Sequence, residues 1–404
     1  MAIEIQLLPA DRLADLLQPI STAFGLTMTP ERLDRLRAVP ELDRRFGAVE
    51  DGAIVGACGS FTFALTVPGG AAVETAGLTW VAVLPTHRRR GVLRAMMRRY
   101  IDEAHARGQA LSGLFASEAA IYGRFGYGIG ALAADVAVDC RRAPFARSAP
   151  PLGRLRLVSE VESAALFPPV WDRVRAVTPG VLSRSSGWWR ARRLSDPEGL
   201  RGGRGPLQRV VLEVDGRAVG YALYRFAAIV GSWAETATLD VHEAMADSPA
   251  ATRALWRYLL DLDIVTEVRA SLLPVDHPLL LLVTDPRRLH MKVGDGLWVR
   301  LVDVAAALSQ RGYGPGGAVV LEVEDDFCPW NTGRYRVGEG AAARTEAAAD
   351  VTLGVDALGA AYLGGFSFTQ LATAGQATER RPGALRRADA LFRGEAAPWA
   401  PEIF

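Results

Sequence analysis

Three consecutive arginines, Arg88-Arg89-Arg90, run into Gly91 and then into an amphipathic stretch that starts at Val92 and Leu93. The residues ahead of them, Trp80-Val81-Ala82-Val83-Leu84, are apolar and rich in strand formers. Strand, short basic loop, glycine and helix start together describe a place for an anion. The first backbone N–H groups of a helix have no partner inside it, and with the helix dipole they attract phosphate oxygens. Gly91 allows close backbone approach, and arginines such as Arg89 and Arg94 add charge-assisted hydrogen bonds. No Gly-Lys-Ser/Thr follows, so this is not a Walker A loop, and the three spaced glycines of a dinucleotide fingerprint are missing. Alone, the arginine run reads as a solvated basic turn; the strand before it and the helix after it favour a phosphate ligand.

The elements around this loop are legible from periodicity. Ile3, Ile5 and Leu7 alternate as in a strand, and Leu13, Leu16, Leu17 and Ile20 recur at helical spacing. A short helix is expected over 31–38. Asp51-Gly52 between strand-like runs predicts a hairpin, because Gly tolerates positive φ. Pro68-Gly69-Gly70 marks a second turn, and 76–83 reads as a buried strand. Positions 92–107 form a helix with Leu93, Met96, Met97, Tyr100, Ile101 and Ala104 on one face, ended by Gly108. Residues 110–116 are another apolar strand. This order describes a mixed α/β domain.

Part of the pattern returns. Asp51-Gly52-x-x-Val55-Gly56 is echoed by Asp215-Gly216-x-x-Val219-Gly220, after a Pro-, Ala- and Arg-rich stretch at 142–155 that reads as a linker. A strand at 237–241 and a helix at 249–262 follow. In place of the basic loop this copy offers His242-Glu243-Ala244-Met245-Ala246-Asp247, read as an acidic loop unsuited to a pyrophosphate. Strands at 297–301, 319–323, 334–337 and 351–353, with helices at 355–363, 368–374 and 384–392, describe an α+β C-terminal part. Alanine-rich 341–349 is expected to be a surface turn or short helix. The units expected are 1–145, 146–290 and 291–404.

Composition excludes several classes. Among 404 residues, 46 are basic and 45 acidic, a formal net charge of +1, which gives no general reason to expect nucleic acid or an anionic membrane as partner. Cys58, Cys140 and Cys328 are odd in number and far apart, which argues for a reducing compartment rather than a disulfide framework. The five histidines are scattered without metal-ligand spacing, so no metal is expected. The N-terminus lacks a basic segment followed by an apolar one, and Leu279–Val283 is far too short to span a membrane. A cytoplasmic protein is expected.

Arg88-Arg89-Arg90-Gly91-Val92-Leu93 resembles the Arg/Gln-x-x-Gly-x-Gly/Ala pyrophosphate loop of the GNAT acetyltransferase superfamily, with Leu93 in place of the usual small residue. The aromatic-rich turn Ala116-Ser117-Glu118-Ala119-Ala120-Ile121-Tyr122-Gly123-Arg124-Phe125-Gly126-Tyr127-Gly128 adds to this. With Pro85-Thr86-His87, Gly220-Tyr221-Ala222-Leu223-Tyr224-Arg225, Asp295-Gly296-Leu297-Trp298-Val299-Arg300 and Tyr362-Leu363-Gly364-Gly365, the chain is similar along its whole length to the Eis (enhanced intracellular survival) acetyltransferases.

The resemblance implies an α/β fold with mixed sheets: a catalytic GNAT domain, a degenerate GNAT-like domain and a sterol-carrier-protein-like α+β domain. It implies a homohexamer, acetyl-CoA as cosubstrate, and direct acetyl transfer to an amine of a polyamine-type acceptor such as an aminoglycoside or a lysine side chain. Acetyl-CoA would lie along Val81, Ala82 and Val83 and beside Ser117 and Glu118, its pyrophosphate on Arg88, Arg89, Arg90, Gly91, Val92, Leu93 and Arg94. Tyr122, with Tyr127 as the alternative, would protonate the departing thiolate. The α-carboxylate of Phe404, at the end of the apolar tail Pro398-Trp399-Ala400-Pro401-Glu402-Ile403-Phe404, would take the amine proton. Around the acceptor, Leu26 and Leu36 stand where acids or aromatics are expected, Phe115 replaces a histidine, Trp80 is bulky, and Glu402 is expected to help attract a polycation. The other readings are an acyl-CoA- or lipid-binding module without turnover, marked by an open tunnel in the C-terminal part, and a non-catalytic interaction protein.

Overall fold

Asp51 and Gly52 take φ of 51° and 80°, and Asp215 and Gly216 take 50° and 76°, so both Asp-Gly pairs form the tight left-handed turn their sequence predicts. In the computed structural model, which describes residues 3–39, 44–147, 151–230, 236–338 and 340–404, these turns sit at equivalent points of two similar sheets. Of the stretch read as a linker, 148–150 lie outside the described residues, and its end is already strand.

The N-terminal part comprises β1 (Glu4–Leu7), α1 (Leu13–Phe24), α2 (Pro30–Arg37), β2 (Arg44–Glu50), β3 (Ala53–Thr66), β4 (Ala72–Val83), α3 (Val92–Ala106), β5 (Leu111–Phe115) and β6 (Gly128–Ile129). Thr29 caps α2 by accepting from Arg32 N, Gly25 ends α1 at φ 63°, and the apolar face of α3 is buried from Val92 to Ala104. The middle part comprises β7 (Leu132–Asp139), β8 (Arg154–Leu157), α4 (Glu160–Val177), α5 (Ser186–Trp188) with a wide turn continuing to Leu194, β9 (Gln208–Val214), β10 (Arg217–Val230), β11 (Thr236–Ala246), α6 (Pro249–Leu260), β12 (Val265–Leu273), α7 (Leu279–Leu282), β13 (Lys292–Asp295) and β14 (Leu297–Leu301). A capping box between Ser159 and Glu162 starts α4.

The sheet orders are β1-β2-β3-β4-β5-β14-β6 and, written the same way round, β8-β9-β10-β11-β12-β7-β13. Each is antiparallel except for one parallel pair, β4 with β5 and β11 with β12. The sixth place in each sheet is filled by a strand from the other half of the chain. β7 leaves β6 to join the second sheet, and β14 leaves β13 to join the first. Leu297–Leu301, grouped by chain position with the C-terminal part, therefore belongs to the first sheet. Its apolar run predicts a buried strand but carries no information on which sheet receives it.

The C-terminal part comprises α8 (Val304–Gln310), β15 (Val319–Glu324), β16 (Gly333–Gly338), β17 (Ala341–Arg344), β18 (Val351–Gly354), α9 (Val355–Tyr362), α10 (Phe368–Thr373), β19 (Ala377–Glu379) and α11 (Ala384–Phe392), with sheet order β17-β16-β15-β18-β19. Ala341–Arg344, expected as a turn or short helix, is an edge strand paired with β16; the sheet edge overrides the helix preference of alanine. The core of this part is filled by Leu321, Val323, Tyr335, Leu358, Tyr362 and Phe392. The three cysteines are free.

Candidate active site

β4 is held by β3 as far as Val83, but by β5 only over Thr75–Gly77 against Leu111–Gly113. Beyond Gly77 the two parallel strands separate. Between the pairs Ala57–Ala82 and Gly59–Thr79, β4 carries one extra residue, and Trp80 sits there at φ 57°. Such a bulge bends its strand away from a neighbour. A Cβ on Gly77 would lie 2.6 Å from the ring of Phe63 and 3.1 Å from that of Phe404, so aromatic packing at the fork demands glycine. Val81, Ala82 and Val83 lie on one arm of the fork, and Ser117 and Glu118 follow the other. Backbone groups along 78–83 that point away from β3 have no strand partner among the described residues. An extended amide chain can bind there as a further strand would.

The basic loop stands at the same end. Val92, first residue of α3, meets Gly56, the partner of Val83. Gly91 is the N-cap at φ 81°, with no atom within 4 Å of where its Cβ would be. Ala95 N is the first to bond back, to Gly91 O at 3.0 Å, which leaves the N–H groups of Val92, Leu93 and Arg94 without intrahelical partners. Arg90 is tied down: it grips both oxygens of Glu50, with Nη1 3.1 Å from Oε2, and His87 Nε2 lies 3.0 Å from the same carboxylate. The Arg90 hydrogen bond holds the Glu50 carboxyl below its ordinary range. Arg88 and Arg89 are exposed and make no ion pair among the described residues. The guanidinium of Arg94 stands 5.4 Å from the Phe327 ring centroid.

Tyr122 and Tyr127 differ in what their hydroxyls do. Tyr127 shares a hydrogen bond with Ser112 Oγ at 2.6 Å, which continues at 2.8 Å to Tyr100 and from Tyr100 at 3.0 Å to Ala76 O. Tyr122 is buried, yet its hydroxyl has no hydrogen-bond partner among the described residues. Burial pushes its pKa up to about 12.

The C-terminal tail is docked rather than frayed. The Phe404 ring packs on Phe63, Phe115 and Phe61 at centroid distances of 4.9, 5.8 and 6.3 Å. It thus lies at the fork between β4 and β5. Arg192 Nη2 donates to Ile403 O at 3.2 Å. Glu402, expected to face an acceptor, is only 2% exposed: Arg184 Nε lies 2.5 Å from it and Arg193 Nε 3.0 Å. These partners lie about two hundred residues away in sequence, so the sequence carries no local signal of them. Phe24 and Leu26 are exposed, and Leu36 is half-buried. A cavity of about 350 Å³ opens between α2 and the 187–197 segment, lined by Glu31, Arg35, Arg190 and Ser195 among others. Sequence reasoning did not find it.

In the second unit, His242–Ala246 is not a loop. It is the end of β11, with Val241, Glu243 and Met245 turned inward, and only Asp247 separates it from the Ser248 N-cap of α6. The period-2 alternation outweighs the acidic composition. Among the described residues no helix is long and apolar enough to cross a membrane, and no group of three or more His, Cys, Asp or Glu could hold a metal.

A mixed sheet that forks after its central parallel pair, with a helix beginning at the open end, is the acetyltransferase (GNAT) domain. Two different family models of that description match, one over residues 4–130 and the other over 180–301, and a sterol carrier protein domain matches 304–401. The protein is an N-acetyltransferase, and GNAT acetyltransferases use acetyl-CoA. An uncharacterized N-acetyltransferase of Streptomyces avermitilis is 44% identical over 387 residues, 94% of each chain. The N-acetyltransferase Eis of Mycobacterium bovis (strain BCG / Pasteur 1173P2) is 35% identical over 401 residues, 96% of this chain and 94% of that one. The crystal structure of Eis1 from Mycobacterium abscessus matches with a TM-score of 0.86 at 35% identity, covering 99% of this chain and 100% of the other. The chain belongs to the Eis family of GNAT N-acetyltransferases.

Proposed function

We propose that this acetyltransferase moves an acetyl group directly from acetyl-CoA to an amine of a multi-amine acceptor, such as an aminoglycoside or a lysine side chain. The observation that carries the reading is the fork between β4 and β5, which opens toward the N-terminus of α3. Backbone groups of Val81, Ala82 and Val83 bind the pantetheine arm and polarise the thioester carbonyl, with Ser117 and Glu118 on the opposite arm. Arg88, Arg89 and Arg94, with the backbone of Gly91, Val92 and Leu93, hold the pyrophosphate, while Arg90 fixes the loop on Glu50. Tyr122 donates its proton to the departing sulfur. The free hydroxyl of Tyr122 and the engaged hydroxyl of Tyr127 favour this assignment. The Phe404 α-carboxylate takes the amine proton; such a group titrates at roughly 3.3–3.7 in water, and an apolar surround raises its basicity toward what a general base needs.

Acceptor recognition does not fall to Glu402. The cavity beside α2 pairs one carboxylate, Glu31, with Arg35 and Arg190, so a strongly cationic acceptor meets a mixed rather than an acidic wall. The units proposed are 1–145, 146–290 and 291–404, with β7 and β14 exchanged, in a cytoplasmic homohexamer. The filled core of the C-terminal part favours an enzyme over a lipid carrier.

The test is thiol release from acetyl-CoA with tobramycin, kanamycin, a lysine-rich peptide and a simple polyamine. Turnover of at least one multi-amine acceptor is expected, strongly reduced by Tyr122→Phe or by residues added after Phe404. Binding of acetyl-CoA without turnover of any acceptor overturns the acceptor class; failure to bind acetyl-CoA overturns the whole reading.

A further inference from the structure

The second unit keeps the fork of the first without its basic loop. β11 pairs with β12 only over Ala237–Val241 against Val265–Ala270, and an extra residue at His242 bulges β11. The chain's own C-terminal segment fills this fork. Trp399 donates from Nε1 to Leu272 O at 2.5 Å and from its backbone N to Pro179 O at 2.8 Å. Trp399 and Pro401 leave a void of about 20 Å³ against Val241, Glu243 and Leu273, room for about one water. Gly180 makes the passage possible, since a Cβ there would lie 2.7 Å from Trp399 O.

Past the fork, Glu402 enters a buried ion cluster. Arg184 bridges it to Glu243, at 2.5 Å to Glu402 and 2.9 Å to Glu243. Tyr221 donates to Glu243 at 2.6 Å, Arg193 completes the set, and the Arg184 guanidinium lies 3.3 Å from the Trp171 ring centroid. Two arginines face two carboxylates, so each buried charge is matched only while the tail is in place. Two residues on, Phe404 reaches the fork of the first unit.

We infer that the second unit's fork is a clamp for the tail, and that Arg184, Glu243 and Glu402 are positioning residues that set where the Phe404 carboxylate stands. The positioning role rests on the reading of Phe404 as general base. The twelve-residue segment 393–404, without helix or strand, has no order of its own. Glu402 lies only two residues from Phe404, a span of roughly 7 Å at most, so fixing one leaves the other little freedom. Without the clamp the carboxylate samples many positions, and misplacement of about 1 Å is enough to cost much of the rate.

The test uses full-length Glu402→Gln, Glu243→Gln and Trp399→Leu variants. Folded samples are treated with carboxypeptidase and release of Phe404 is followed by mass spectrometry; kcat and the KM for acetyl-CoA are measured on the same preparations. The expected result is release at least about tenfold faster than wild type, kcat lower by about tenfold, and KM for acetyl-CoA within about twofold. Trp399→Leu leaves the ion cluster whole, so it gives both readings even where a glutamine variant does not fold. Wild-type protection of Phe404 in the folded variants overturns the inference, whatever kcat does. Faster release with unchanged kcat overturns the general-base reading and the positioning role with it, while the clamp stands.

Discussion

The rings of Tyr122 and Tyr127 meet edge to face, 6.0 Å between centroids, but only the Tyr127 hydroxyl is tied into the buried chain through Ser112 and Tyr100. Two tyrosines five residues apart thus differ in what their hydroxyls engage, and the proposed mechanism gives them opposite roles. Tyr122→Phe is expected to lower kcat by about a hundredfold with unfolding temperature unchanged. Tyr127→Phe is expected to destabilise the fold by about 0.5–1.5 kcal/mol and to keep most of the turnover. Steady-state kinetics and thermal melts on both variants check this; equal loss of kcat would reassign the proton donor.

Glu50 anchors the basic loop that precedes α3. Its carboxylate binds both Arg90 and His87. Arg89→Ala, which removes an exposed guanidinium, is expected to raise the KM for acetyl-CoA about tenfold with no change in stability. Glu50→Gln is expected to raise the same KM by about threefold through release of the loop. The Glu50 carboxyl is held below its ordinary value, chiefly by Arg90. This anchor is therefore fully present above the usual carboxylate range and is lost as pH falls through the lowered value. A KM for acetyl-CoA that climbs on acidification in wild type, but not in Glu50→Gln, is the measurement.

What the sequence discloses here is what is local. The Asp-Gly hairpins, the face of α3 and the glycine at its start all follow from neighbours a few residues apart. The exchange of β7 and β14 does not, because Leu297–Leu301 is the same buried apolar run whichever sheet receives it. Glu402 looks like a surface acid until Arg184 and Arg193, 218 and 209 residues distant, close around it. The acidic look of 242–247 conceals a strand for a similar reason: Glu243 is inward-facing and neutralised by a residue far away in the chain.

Gly91 and Gly126 have nearly equal φ, 81° and 80°, in different surroundings. Gly91 has open space on its side-chain face, whereas a Cβ on Gly126 would collide with the Arg300 guanidinium and lie 2.8 Å from Val355. Arg300 has little room to yield, since it is fully buried and its other terminal nitrogen, Nη2, is bound to Asp325 at 2.7 Å. Gly91→Ala is expected to cost roughly 1–2 kcal/mol from backbone conformation alone. Gly126→Ala is expected to cost more than about 4 kcal/mol. Urea unfolding of the two variants separates them, and comparable losses would mean that the contact at Arg300 is not as tight as described.

Alkaline pH supplies a test of the buried core behind the fork. Burial pushes Cys58, Tyr100 and Tyr122 each up to about 12. All three are acids whose neutral form the fold prefers. In the unfolded chain the thiol loses its proton near pH 8.5 and the phenols near pH 10. Between those values and about 12 the native state holds more protons than the unfolded state, so stability falls as pH rises. The contribution is complete below about pH 8.5 and is lost through the folded values. Each group adds about 1 kcal/mol of loss per pH unit within its window. Urea midpoints measured from about pH 8 to about pH 11 should fall, first gently from Cys58 and then more steeply once the phenols join. Tyr100→Phe removes one titrating group and should flatten the steep limb, although it lowers the starting stability through the lost bonds to Ala76 and Ser112. A midpoint that stays level across this range would show that these groups ionise as freely in the folded protein as outside it.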